Sequence, residues 1–158
     1  MRTPQLCART RWHTLLHLYD ENFLRLLALF PHLPQFSGEW RSVLGADGAI
    51  SVRLIARETH TAVIKLTHVE ARNSTPDAYL RVYFDARQAE VTHFQSGAEL
   101  RKLLAPNSDA KAIARRRLRL NLFLSKWLDF LADLGHHKGS WQRVDFEPAN
   151  PEQSGLQR

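Results

Sequence analysis

The sequence predicts one α+β domain: an N-terminal helix, a four- or five-stranded antiparallel meander, and a long C-terminal helix, with both helices packed on one sheet face. Three observations carry this reading. Apolar residues recur every three or four positions in two stretches, about 10–30 and 109–134. Between them, apolar and polar residues alternate, most regularly in "YLRVYFDARQAEV" at 79–91. The joins between the alternating runs are short, which makes successive strands antiparallel neighbours.

Residues 1–9 are expected to be disordered, followed by a single domain over 10–144 and a disordered tail over 145–158, where "FEPANPEQSGLQR" is polar and carries two prolines. In the first helix Trp12, Leu16, Tyr19, Phe23, Leu27 and Phe30 share a face, with Thr10 as its cap; Pro31 and Pro34 end it. "GEWRSVL" is a short first strand and "GADG" a hairpin turn. "AISVRLIAR" and "HTAVIKLTHV" are the next two strands, "RNSTPD" a turn, and "AYLRVYFD" and "AEVTHFQ" the last two. Ser108 is the expected N-cap of the second helix, whose apolar stripe runs through Ile113, Leu120, Leu124, Trp127, Leu128 and Leu131. Gly135 suits its left-handed C-cap.

A chain of 158 residues buries roughly 70% of its unfolded surface and folds without a staple. Cys7 is the only cysteine, so no intrachain disulfide forms and a reducing compartment fits. The longest apolar stretch, "TLLHLYDENFLRLLALF", is interrupted by Asp20, Glu21 and Arg25, which argues against a membrane span and for a soluble cytoplasmic protein. No glycine-rich phosphate loop, nucleophile elbow or zinc-protease motif is present. No cofactor or metal is expected. His13 and His17, one helical turn apart, lack an evident third ligand.

Three stretches, "YDENFLRLLALFPHLP", "LRVYFDARQAEV" and "NLFLSKWLDFLADLG", together resemble the YqiB-like family of small bacterial proteins. The likeness runs through Asp20, Asn22 and Phe23, then Arg81, Tyr83, Asp85, Ala86, Glu90 and Val91, then Asn121, Phe123, Leu124, Trp127, Leu128 and Gly135. The family is one of unknown function, so the resemblance implies a related fold and no activity. The chain departs from it in an arginine-rich run, where relatives carry mixed charge.

Charge is concentrated in that run: residues 99–119 carry +5 of the net +6. Arg115, Arg116 and Arg119 are candidate contacts for an anion or for weak, sequence-blind nucleic-acid binding by the helix at 109–134. Arg117 falls inside the apolar stripe and Asp20 at the edge of the first helix's apolar face, so an interhelix Asp20–Arg117 bridge assisted by Asn121 is expected. On the hairpin, Leu80, Val82 and Phe84 should lie under the helices. Arg81, Tyr83, Asp85 and Glu90 should then form a polar row for a ligand or partner. The function expected first is non-enzymatic: a binding or adaptor protein for a protein partner or an anionic small ligand, self-association being compatible. The alternatives are a nucleic-acid binder and an enzyme or nucleotide/anion site on the same four hairpin residues. A concave pocket over the hairpin would favour a small-ligand site.

Overall fold

The computed structural model describes residues 4–45, 48–69, 77–95 and 109–145. In chain order the elements are α1 (Pro4–Leu29), β1 (Glu39–Val43), β2 (Ala49–Arg57), β3 (Thr61–Val69), β4 (Asp77–Tyr83), β5 (Gln88–Gln95), α2 (Ala110–Asp133) and β6 (Trp141–Arg143). The strands form one antiparallel sheet in the order β5-β4-β3-β2-β1-β6. The expected meander is therefore present, extended by a sixth strand.

The period of two decides the buried face. Ile50 and Val52 on β2, Ile64 and Leu66 on β3, Leu80 and Val82 on β4, and Ala89, Val91 and Phe94 on β5 all point beneath the helices. They share one core with Phe23 and Leu26 of α1, Phe30 just after it, and Leu120, Leu124, Leu128 and Leu131 of α2. The helices pack against each other and reach the sheet chiefly along β5.

Several elements differ from the sequence reading. Helix α1 starts at Pro4, where proline's missing N–H costs nothing, so Thr10 lies inside it and accepts from Thr14 through its carbonyl. Its buried line is Leu15, Leu18, Tyr19, Asn22, Phe23, Leu26, Leu29 and Phe30, whereas Trp12 is exposed and Leu16 and Leu27 only half-buried. Asp109, not Ser108, caps α2 by accepting the Lys111 N–H at 3.1 Å; residue 108 lies outside the described residues. Gly135 does take positive φ, +106°. Around it, Gly135 N–H bonds the Ala132 carbonyl and His136 N–H the Leu131 carbonyl, the paired bonds of a Schellman turn. That turn returns the chain to the sheet, where β6 pairs with β1 and the Trp141 indole donates to the Leu29 carbonyl at 2.7 Å. The residues from 146 onward, most of the expected tail, lie outside the described residues.

Candidate anion-binding cleft

The face of the sheet turned away from the helices carries the polar half of each strand, and most of it is paired within itself. Glu39 accepts from Ser51 at 2.6 Å and from Arg41 at 3.1 Å. Lys65 meets Asp77 at 2.8 Å, and Thr67 donates to Asp77 at 2.7 Å. Tyr79 and His93 stack at 4.2 Å. Such pairs lock strand register and keep the face wet.

At the β4–β5 hairpin this pattern changes. Arg81 stands directly opposite Glu90, and the Tyr83 hydroxyl donates to Glu90 Oε1 at 2.8 Å. Burial first, and then the Glu90 hydrogen bond, raise the Tyr83 pKa against the opposing pull of Arg81. Tyr19, from α1, faces the same carboxylate. Burial and then the Glu90 charge push its hydroxyl up to about 12, while Arg117 acts in the opposite direction. At neutral pH both phenols stay protonated, Tyr83 donating to Glu90, and neither is a base.

Helix α2 closes the site. Its Asn121 is fully buried, and the side-chain oxygen accepts the Val91 N–H of edge strand β5 at 3.0 Å. The amide nitrogen returns to the Arg117 carbonyl at 2.8 Å, and Asn22 of α1 donates to the Asn121 carbonyl at 3.2 Å. The Asn121 side chain thus covers a backbone donor of the sheet edge and ties α2 to β5, and the Asn22 side chain ties α1 to α2 at the same residue. Strand β5 bulges at the same level: Leu80 pairs with Val91 but Tyr79 with His93, leaving Thr92 as the extra residue. Bulges re-aim side chains, and Thr92 enters the space beneath α2.

That space is an open cleft of about 440 Å³ lined by Arg81, Glu90, Val91, Thr92, Ile113, Arg116, Arg117 and Leu120. Three arginines and one glutamate line it together with the apolar Val91, Ile113 and Leu120. Arginine's planar fork matches carboxylate and phosphate oxygens two at a time. A second recess of about 210 Å³, on the outer face, is lined by Ala56, Glu58, Thr61, Val63, Arg81 and Tyr83. Arg81 belongs to both.

The cleft draws residues from two separate candidate sites and sets others aside. Arg81, Tyr83 and Glu90 come together. Asp85 does not join them: β4 ends at Tyr83, residues 84–87 turn, and the Asp85 carboxylate accepts the neighbouring Ala86 N–H at 2.8 Å. Phe84 is for the same reason only half-buried. The arginine run divides by helical period. Ile113, Arg116, Arg117 and Leu120 share the cleft side, and Arg115 and Arg119 fall on the opposite side of α2.

The expected Asp20–Arg117 bridge does not form. Asp20 is exposed and accepts from Gln88 at 3.0 Å, while Arg117, also exposed, lines the cleft. In the first half of α2, before Leu120, no described side chain is fully buried, so Arg117 has no core to be buried in. The interhelix ion pair is instead Arg25–Asp129 at 2.9 Å, with Glu21 as a second partner of Arg25 at 2.9 Å. Its signal in the sequence was weak: opposite charges on two helices of unknown relative rotation.

Two other clusters have the residue types of chemistry, one of them buried and the other a surface pair. Ser42 Oγ lies 2.7 Å from His136 Nδ1 and donates to Ser140 Oγ at 2.6 Å, but Ser42 is fully buried and the network joins β1 to the turn after α2. His17 pairs with Glu21 at 3.1 Å on the exposed side of α1. Among the described residues, no group of three or more His, Cys, Asp or Glu side chains could hold a metal ion.

Fold and cleft together define a small α+β protein with two helices over an antiparallel sheet and a cationic cleft at one sheet edge. The chain belongs to the family described as protein of unknown function (DUF1249), which matches residues 25–137, from the second half of α1 to the turn after α2. No curated protein and no solved structure matches it.

Proposed function

We propose that the protein is a cytoplasmic, non-enzymatic binding module that holds an anionic ligand in the cleft between β5 and α2. The observation that carries this reading is the convergence of Arg81 from the sheet with Arg116 and Arg117 from the helix. The carboxylate beside them, Glu90, receives the Tyr83 hydroxyl and has a second phenol, Tyr19, near it. The YqiB-like resemblance supports the same reading, because it runs through Arg81, Tyr83, Glu90 and Asn121, which build the cleft and its wall. Binding fits better than catalysis. The two tyrosines are held protonated, and Glu90 is already engaged as an acceptor. Among the described residues no helix is long and apolar enough to cross a membrane.

The test is a titration of the full chain with inorganic phosphate, pyrophosphate and citrate, followed by amide chemical shifts of β5 and α2. Arg81→Ala and Arg117→Ala should each weaken binding about tenfold or more, the scale of a charge-assisted hydrogen bond. Arg115→Ala, on the far side of α2, should leave it unchanged. Anions that bind no better to the wild type than to the double variant Arg81→Ala/Arg117→Ala would sink the proposal.

A further inference from the structure

Resting on that reading, we propose that the ligand is amphoteric: a phosphate-like dianion at one end and a protonated amine at the other, lying across the outer face from the β5–α2 cleft to the Glu58 recess. The sheet register lays out the path. Ala56 pairs with Val63, Val63 with Arg81, and Arg81 with Glu90, so the four form one transverse row across β2, β3, β4 and β5. Strands lie about 4.8 Å apart, so the row spans roughly 14 Å.

Charge is unequal along this row. At the β5 end, Arg81, Arg116 and Arg117 line the cleft with Glu90, and arginine forks suit the oxygens of a phosphate-like anion. At the β2 end, Glu58 lines the recess beside the small side chains of Ala56 and Val63. These leave a hollow between longer neighbours, with the Tyr83 ring as its wall. Each end also sits at an irregularity in the ladder, one between Leu54 and Ala56 and the other at Thr92. Bulges concentrate at sites where a sheet must re-aim side chains toward a ligand. Elsewhere on this face, acids and bases pair within the protein, as at Lys65–Asp77. Here Glu58 lines one hollow and Arg116 and Arg117 the other, with Arg81 lining both. A linker of several bonds over Ala56 and Val63 would let one molecule satisfy both ends.

The probes are two matched series, straight-chain alkyl phosphates and their ω-amino counterparts, with two to six carbons, titrated calorimetrically against the full chain. The amino series should gain affinity with length and reach about a fivefold advantage over the matched alkyl phosphate, the scale of a partly exposed ion pair. Glu58→Gln should remove that advantage and leave alkyl phosphate affinity unchanged. Val63→Phe, which fills the hollow, should do the same if Glu58→Gln proves uninformative through altered folding. Equal affinity for the two series, with both still dependent on Arg81 and Arg117, would overturn the amphoteric ligand and leave the anion cleft standing. Failure of both series to bind would overturn the cleft reading as well.

Discussion

The two halves of α2 are one continuous helix with opposite fates. From Leu120 onward it buries Leu120, Asn121, Leu124, Ser125, Trp127, Leu128 and Leu131 against α1 and the sheet. Before Leu120 no described side chain of it is fully buried, and Ile113, on the same stripe, is 42% exposed. The same apolar period thus means core where another element covers it and cleft wall where none does. Arginines are tolerated in the first half because their charges stay in contact with water, and Arg116 and Arg117 lie on the cleft side because the period places them there.

The largest effect that tests this contrast is in the covered half. Leu124 is fully buried, and Leu124→Ala should cost about 3 kcal/mol by chemical denaturation, while Ile113→Ala should cost well under half of that. Equal losses would mean that the first half is packed after all. Next comes the join between the halves. Asn121→Leu deprives the Val91 N–H of its partner, and about 2 kcal/mol should be lost, with faster hydrogen exchange at Val91. An unchanged Val91 exchange rate would show that Asn121 is not what closes the edge.

At the far end of α2, His136 is buried, and burial, then the nearby His68, lower its pKa below the ordinary 6.5. The folded state therefore favours the neutral ring, and the unfolded chain takes the proton first on acidification. This contribution to stability is complete above about pH 6.5 and is lost as pH falls below that value toward the lowered pKa. Melting measured from pH 7.5 to 5 should show that decline, and His136→Asn should flatten it. A decline of equal slope in the variant would assign it to other groups. The smallest stability effect belongs to the exposed first half of α2. Arg117→Ala should change unfolding by no more than about 0.5 kcal/mol while weakening anion binding, a separation that a buried Arg117 would not permit.

What the chain made legible follows the same division. β2 runs from Ala49 to Arg57 as its alternation indicates, and the Arg81–Glu90 pairing follows from a short turn between two runs of period two. The end of α2 at Gly135 was equally readable, because a glycine just past an apolar stripe supplies the left-handed residue that a Schellman turn requires. β6 was not: three residues show no period, and they become a strand only because the turn after α2 delivers them to the free edge of β1. On α1 the stripe was read with Trp12, Leu16 and Leu27 in the core. Packing turns Leu15, Leu18 and Leu26 inward instead, since several apolar faces compete on a helix this rich in leucine.

The sequence by itself determined which residues lie on the same side of each helix and strand, because backbone geometry sets those periods without reference to anything else. Only the tertiary structure decided which of those sides meet, which part of α2 is buried, and hence that Arg81 shares a cleft with Arg116 and Arg117 rather than Asp20 with Arg117. The physical reason is that period fixes direction within an element. Covering, which turns a direction into a core or a site, depends on the length and rotation of its neighbours, and those arise from side chains distant in the chain packing to full density.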